Sequence, residues 1–198
     1  MIPWTLSLSG YGLLLFCLLP RSLSSHRLLS VVGIVLILLL PLPLMEGVAL
    51  IDLLRGGLGD FSILTLGLLT MSALERAALI KSPVNEAQWR MLSLLTLLVA
   101  IPFYTFSLGV GLTDPYRWGF SSALVLPLGA LTLAMVYLRC WWAVALFCLA
   151  LLLWILEWGL ESRNLWDYLL DPMLVFYAAA QVLRDAVKSL GRKAADTP

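Results

Sequence analysis

FSSALVLPLGALTLAMVYLRCWWAVALFCLALLLWILEW, residues 120–158, is apolar almost throughout, and its chief interruption, Arg139 with Cys140, has no glycine or proline beside it. Read as one helix it would extend about 58 Å, far beyond a hydrocarbon core of about 30 Å. The stretch therefore predicts a hairpin of two helices, Phe120–Leu138 and Trp141–Trp158, with Arg139 at the tip. The split also sets the parity of the chain, because fusing the two helices would carry the basic tail to the opposite side.

The rest of the sequence agrees with a membrane reading. The chain has 198 residues, of which 61% are hydrophobic and 13% charged, against about 25% charged in soluble domains; its mean hydropathy is +0.95. Seven apolar runs are candidate spans: Ile2–Leu19, Leu28–Leu44, Phe61–Leu79, Met91–Leu112, Phe120–Leu138, Trp141–Trp158, and a last one beginning within Leu165–Pro172. The first lacks the basic start and small-residue cleavage site of a secretory signal, so it is expected to remain as a span. The expected fold is all-α and polytopic, one domain over residues 1–198 with a basic tail at 184–198.

Lysine and arginine near span ends mark the cytoplasmic side. Arg21, Arg27, Arg76, Lys81, Arg90, Arg139, Arg184, Lys188, Arg192 and Lys193 fall on one side, against Arg55, Arg117 and Arg163 on the other. The amino terminus is thus expected outside and the carboxyl tail inside. Glu46, Asp52, Asp60, Asp114, Glu157, Glu161, Asp167 and Asp171 then face outward. Trp4, Trp118, Trp158 and Trp166 fall at outer boundaries, and Trp89, Trp141 and Trp142 at inner ones, where amphipathic rings settle.

The outer face carries the candidate site. Asp114-Pro115 and Asp171-Pro172 have the pattern of an N-cap followed by proline at the first helical position, and Asp60 reads as the cap of the third span. Gly56, Gly57 and Gly59 allow a sharp turn before it. Glu157 with Glu161, and Asp167 with Asp171, are spaced i,i+4, which on a helix sets each pair on one face and calls for a compensating cation. The candidates are Arg163, Arg55, Arg117, a partner's basic residue, or a hard ion such as Mg²⁺ or Ca²⁺, since carboxylates without histidine favour such ions. Asn164 is expected to cap a short interfacial helix, Leu165–Leu170, with Trp166 and Leu170 entering the headgroup region and Asp167 left wet. Tyr116 and Trp118 flank Arg117 in a tight loop and complete an acidic and aromatic outer face with Trp166. Within the spans, Glu75 comes nearest to the midplane, and Pro102 and Pro127 permit kinks that open a groove toward the outer leaflet.

Several function classes are excluded. Thirteen basic against twelve acidic residues leave no basic stripe for nucleic acid. The single histidine, His26, leaves no histidine metal cluster or Ser-His-Asp set, and Cys17, Cys140 and Cys148 form no C-x-x-C pair. The D-x-x-x-D of Asp167 and Asp171 resembles the tail of the CDP-alcohol phosphotransferase motif, yet the glycine and arginine that precede it in that family are absent. What remains is a multi-pass protein of the bacterial cytoplasmic membrane, in contact with lipids, requiring no cofactor and binding no nucleic acid. The expected role is a non-enzymatic subunit of an envelope complex that presents its acidic and aromatic face to a membrane-protein partner. The alternatives are a small transporter or binding component for a cationic or amphipathic solute, and a metal-dependent enzyme on a lipid-linked substrate.

Overall fold

The computed structural model describes residues 2–18, 40–41, 43–45 and 48–195. Arg21, His26, Arg27, Glu46 and Asp196, and most of the expected span Leu28–Leu44, lie outside the described residues. The remainder is predominantly helical. In order come α1 (Ile2–Leu18), a two-stranded hairpin of β1 (Pro43–Met45) and β2 (Val48–Ala49), α2 (Leu50–Leu58), α3 (Ile63–Arg76), α4 (Glu86–Thr105), α5 (Val125–Tyr137), α6 (Trp141–Ile155), the short α7 (Leu165–Leu169) and α8 (Pro172–Ala195). The hairpin corrects the end expected for the second span. Pro41 and Pro43 offer no N–H to a helix, and the chain doubles back to pair Pro43 with Ala49.

Polar caps set the helix starts. Ser62 Oγ accepts from Thr65 N–H at 3.2 Å to open α3. Asn85 and Gln88 exchange hydrogen bonds of 2.9 and 3.1 Å in a capping box at α4, so that helix begins at Glu86, before the apolar run itself. At its far end Pro102 removes one main-chain bond and the helix loosens into a π-turn, Phe106–Val110, where Gly109 takes φ 91°. Between Asp114 and α5 the chain makes two 3₁₀ turns, Pro115–Phe120 and Ser122–Leu124.

The helix ends follow one design. At α3, α5 and α6 the closing residue is left-handed without being glycine: Ala78 (φ 54°), Arg139 (φ 55°) and Glu157 (φ 48°). Each sits in a Schellman motif, shown by Leu79 N–H to Leu74 O, Cys140 N–H to Met135 O and Trp158 N–H to Leu153 O at 3.0, 2.9 and 2.9 Å. Arg139 is thus the tip of the expected hairpin, with α5 packed on α6. A left-handed L-residue costs about 1–2 kcal/mol, and glycine's extra chain entropy about 0.5–1. Ala78→Gly is therefore expected to stabilise the protein by up to about 1 kcal/mol, read as a rise of roughly 2–4 °C in thermal midpoint.

These boundaries shorten the expected spans except the fourth, which starts earlier. Glu86–Val110, with 25 residues and a mean hydropathy of 1.9, is the one helix among the described residues long and apolar enough to cross a membrane. Leu6–Leu18, Ser122–Tyr137 and Trp141–Ile155 are apolar but shorter, and α3, with 14 residues, is about 21 Å long. Inside the bundle α3 touches α1 on one side and α6, α7 and α8 on others, α4 lies along α8, and α5 along α6. Ile63, Phe147, Ala150, Leu165 and Tyr168 form the main core, while Tyr11, Leu40, Ile51 and Phe61 form a second one around α1 and α2.

Candidate functional site

The α7–α8 junction, the start of α3 and the loop after α4 converge at one end of the bundle, and Asp171 ties the first two together. It is buried. Its Oδ1 accepts from Leu174 N–H at 2.9 Å, capping α8 with Pro172 as first helical residue, as the sequence predicts. Its Oδ2 accepts from Ser62 N–H at 2.7 Å, which fixes the first turn of α3 against α8.

Asp60 does not cap α3; Ser62 does that two residues later. Asp60 instead takes a bidentate pair from Arg55, Nε to Oδ1 at 2.9 Å and Nη2 to Oδ2 at 3.0 Å, and accepts a further hydrogen bond from Ser7 Oγ. Arg55 Nη2 also reaches Glu161 Oε1 at 3.1 Å. Against the opposing effect of burial, Asp60 first and then Glu161 push the guanidinium further above its ordinary range. The turn that makes this possible needs only one of the three expected glycines. Gly59 has φ 77° and its carbonyl accepts from Tyr11 Oη, whereas Gly56 and Gly57 lie within α2 facing open space.

A second set of bonds joins the loop after α4 to α7. Asn164 caps α7 as expected, its Oδ1 accepting from Trp166 N–H at 2.9 Å, and its Nδ2 donates across to Tyr116 O at 2.8 Å. Trp166 Nε1 donates to Pro115 O at 2.9 Å, and its ring lies 4.6 Å from that of Phe103. Gly119 passes so close that a Cβ there would fall 1.7 Å from Asn164 Oδ1. Trp166 and Leu170 thus turn into the protein, which corrects the expectation that they enter a headgroup layer. Buried Asn164 and Leu165 anchor α7 and leave the tryptophan no outward course. Asp167 is half-buried and accepts from Tyr116 Oη at 2.9 Å. Burial first, and then Asp167, raise the pKa of that phenol.

Between these two sets lies a bowl of about 570 Å³. Asp60, Glu161, Asp167 and Asp171 line it together with Tyr104, Tyr116 and Ser107, whose buried Oγ has no hydrogen-bond partner. Three of the four expected cluster members therefore meet, and Asp60 joins them. Glu157 does not: it pairs with Arg163 at 3.2 Å where both side chains are exposed. The i,i+4 premise fails for both pairs. Helix α6 ends at Ile155, before Glu157, and α7 ends at Leu169, before Asp171, so neither pair shares a helical face.

Arg117 and Trp118 stand exposed on the adjoining loop, and among the described residues no carboxylate pairs with Arg117. Asp114 beside them accepts from Tyr116 N–H at 3.0 Å, as an N-cap does. Among the described residues no group of three or more His, Cys, Asp or Glu side chains is placed to hold a metal ion. The geometry accounts for this, since Arg55 occupies Asp60 and Glu161 while main-chain N–H groups occupy Asp171. Tyr104 and Ser107 carry no signal in the sequence, and Asn164 stands out there only as a cap: its bond to Tyr116 O, 48 positions away, leaves no local signal. No protein-family model, curated protein or solved structure matches this chain.

Proposed function

We propose that the protein is a multi-pass integral protein of the bacterial cytoplasmic membrane, with seven spans, the amino terminus outside and the tail inside, whose outer bowl binds the cationic group of an amphipathic solute for uptake or presentation. The observation that carries the binding role is the charge balance of the bowl. Four carboxylates face one guanidinium in a space that also offers two phenols and the unpartnered Ser107 hydroxyl. An ammonium or guanidinium group entering it meets excess negative charge and several acceptors, with Phe103 and Tyr104 as aromatic walls. Support for the membrane setting comes from the exterior, where Leu98 of α4, Leu126 and Leu133 of α5 and Phe176 of α8 are all at least 70% exposed. Apolar surface so distributed is suited to hydrocarbon as its solvent. A second reading, a complex subunit that docks a membrane-protein partner on this face, is favoured by the exposed Arg117, Trp118 and Trp158 on the rim.

Two measurements test the proposal. A reporter fused after Pro198 is expected in the cytoplasm, with cysteines placed at Asp114 and Arg163 labelled from outside by a membrane-impermeant reagent; an extracytoplasmic tail defeats the topology. In neutral detergent, spermidine is expected to raise the thermal midpoint, and the Glu161→Gln/Asp167→Asn variant is expected to lose that rise. An equal rise in the variant overturns the cation site, and a stoichiometric protein that co-purifies and blocks labelling at Arg163 selects the docking reading.

A further inference from the structure

Below the bowl the protein is not closed. Helix α4 rests on α8 and α5 rests on α6, and between the two pairs runs an apolar cleft with lobes of about 170 and 70 Å³. Leu95 and Val99 of α4 form one wall, Leu128 and Leu131 of α5 the other, and Leu64 and Leu174 the floor. The smaller lobe continues it to Trp89, Trp142 and Tyr177. From Val99 to Trp89 this is about 15 Å of helix rise. Pro127 lies in the wall, in the first turn of α5, where a missing N–H costs the helix no main-chain bond.

The upper end of the cleft is the underside of the bowl. Leu170 lines both spaces and marks where they meet, beside the tilted ring pair of Trp166, which lines the cleft, and Phe103, which lines the bowl. An acidic compartment thus adjoins a narrow apolar one that opens to the side of the bundle. We propose that the cleft holds an acyl chain of an amine-bearing membrane lipid whose ammonium head occupies the bowl. The inference rests on the bowl being a cation site and adds the class of solute. Two features select this occupant: the excess negative charge above, which disfavours an anionic head, and the continuity of apolar wall below, which a polyamine or a hydrophilic cation leaves unused. Thr96, the one polar side chain on the larger lobe, also lines the smaller one and so marks the middle of the path.

The test places a photo-crosslinking amino acid at Thr96 in the full-length protein in native membrane, and the same probe at Leu98, which points outward from α4. Captured lipids are identified by mass spectrometry. The expected result is capture at 96 enriched several-fold in amine-headed lipid relative to capture at 98, with the enrichment lost in the Glu161→Gln/Asp167→Asn background. Lipid at 96 with the same composition as at 98 overturns the proposal, as does the absence of lipid at 96. Should the large side chain at 96 prevent folding, the probe at Leu131 on the opposite wall gives the same reading. Retention of the spermidine effect together with failed enrichment would sink the lipid inference alone, whereas loss of both would sink the cation site with it.

Discussion

Replacing Asp171 with alanine is expected to cost about 4 kcal/mol of folding free energy, the largest effect of any single substitution considered for this protein. One carboxylate serves two buried donors, Ser62 N–H at 2.7 Å and Leu174 N–H at 2.9 Å. Alanine leaves both buried donors without their partner, and each orphaned donor costs about 1–3 kcal/mol. The loss of the cap on α8 falls within the same sum, because Leu174 N–H is one of the free donors of that helix's first turn. Asparagine at the position keeps one acceptor oxygen and turns an NH₂ toward the other N–H, so it is expected to recover no more than about half of the loss. Chemical denaturation in a fixed neutral detergent reads both variants. A loss below about 1 kcal/mol for alanine would mean that α3 and α8 are not joined through this side chain.

Asp171 also shows how far the sequence could be read. Its capping role was legible, because aspartate before proline at the head of an apolar run is a local pattern with a local cause. Its second bond was not, since Ser62 lies 109 positions away and no periodicity reports on it. The same division runs through the fold. Apolar runs located most of the described helices, and the length limit on residues 120–158 located the hairpin at Arg139. The apolar runs overshoot the helix ends at Ala78 and Glu157, because nothing in those side chains announces the left-handed conformation that the main-chain bonds hold. That error carried into the site. Helical spacing carried through Glu157 groups that residue with the bowl carboxylates and leaves out Asp60, which lies about 100 positions from them in the chain. Glu75, the carboxylate that the sequence sets nearest to the midplane, has one buried oxygen without a hydrogen-bond partner, a feature that no sequence pattern distinguishes from a solvated rim.

Arg55 joins the structural and functional arguments, and its substitution separates them. The Arg55 and Asp60 side chains are 20% and 23% exposed, so their bidentate pair is largely withdrawn from water. Removing one partner of a fully buried pair costs about 3–5 kcal/mol, and the remaining exposure lowers the expectation for Arg55→Ala to about 3 kcal/mol. Among the described residues Asp60 then keeps only the hydrogen bond from Ser7. Arg55→Lys retains the charge but not the planar fork, and is expected to lose about half as much. Adding Asp60→Asn to Arg55→Ala removes the stranded charge and is expected to restore part of the loss, the non-additivity that direct contact requires. Binding should move the other way. Arg55 is the cation that offsets the carboxylates of the bowl, so Arg55→Ala, measured well below its lowered midpoint, is expected to bind spermidine more tightly than the unaltered protein, with the gain fading as salt is raised. Lower stability with higher cation affinity is a combination that general loosening of the fold does not produce. If stability and affinity fall together, the acidic residues of the bowl serve only to hold the chain, and the cation site is wrong.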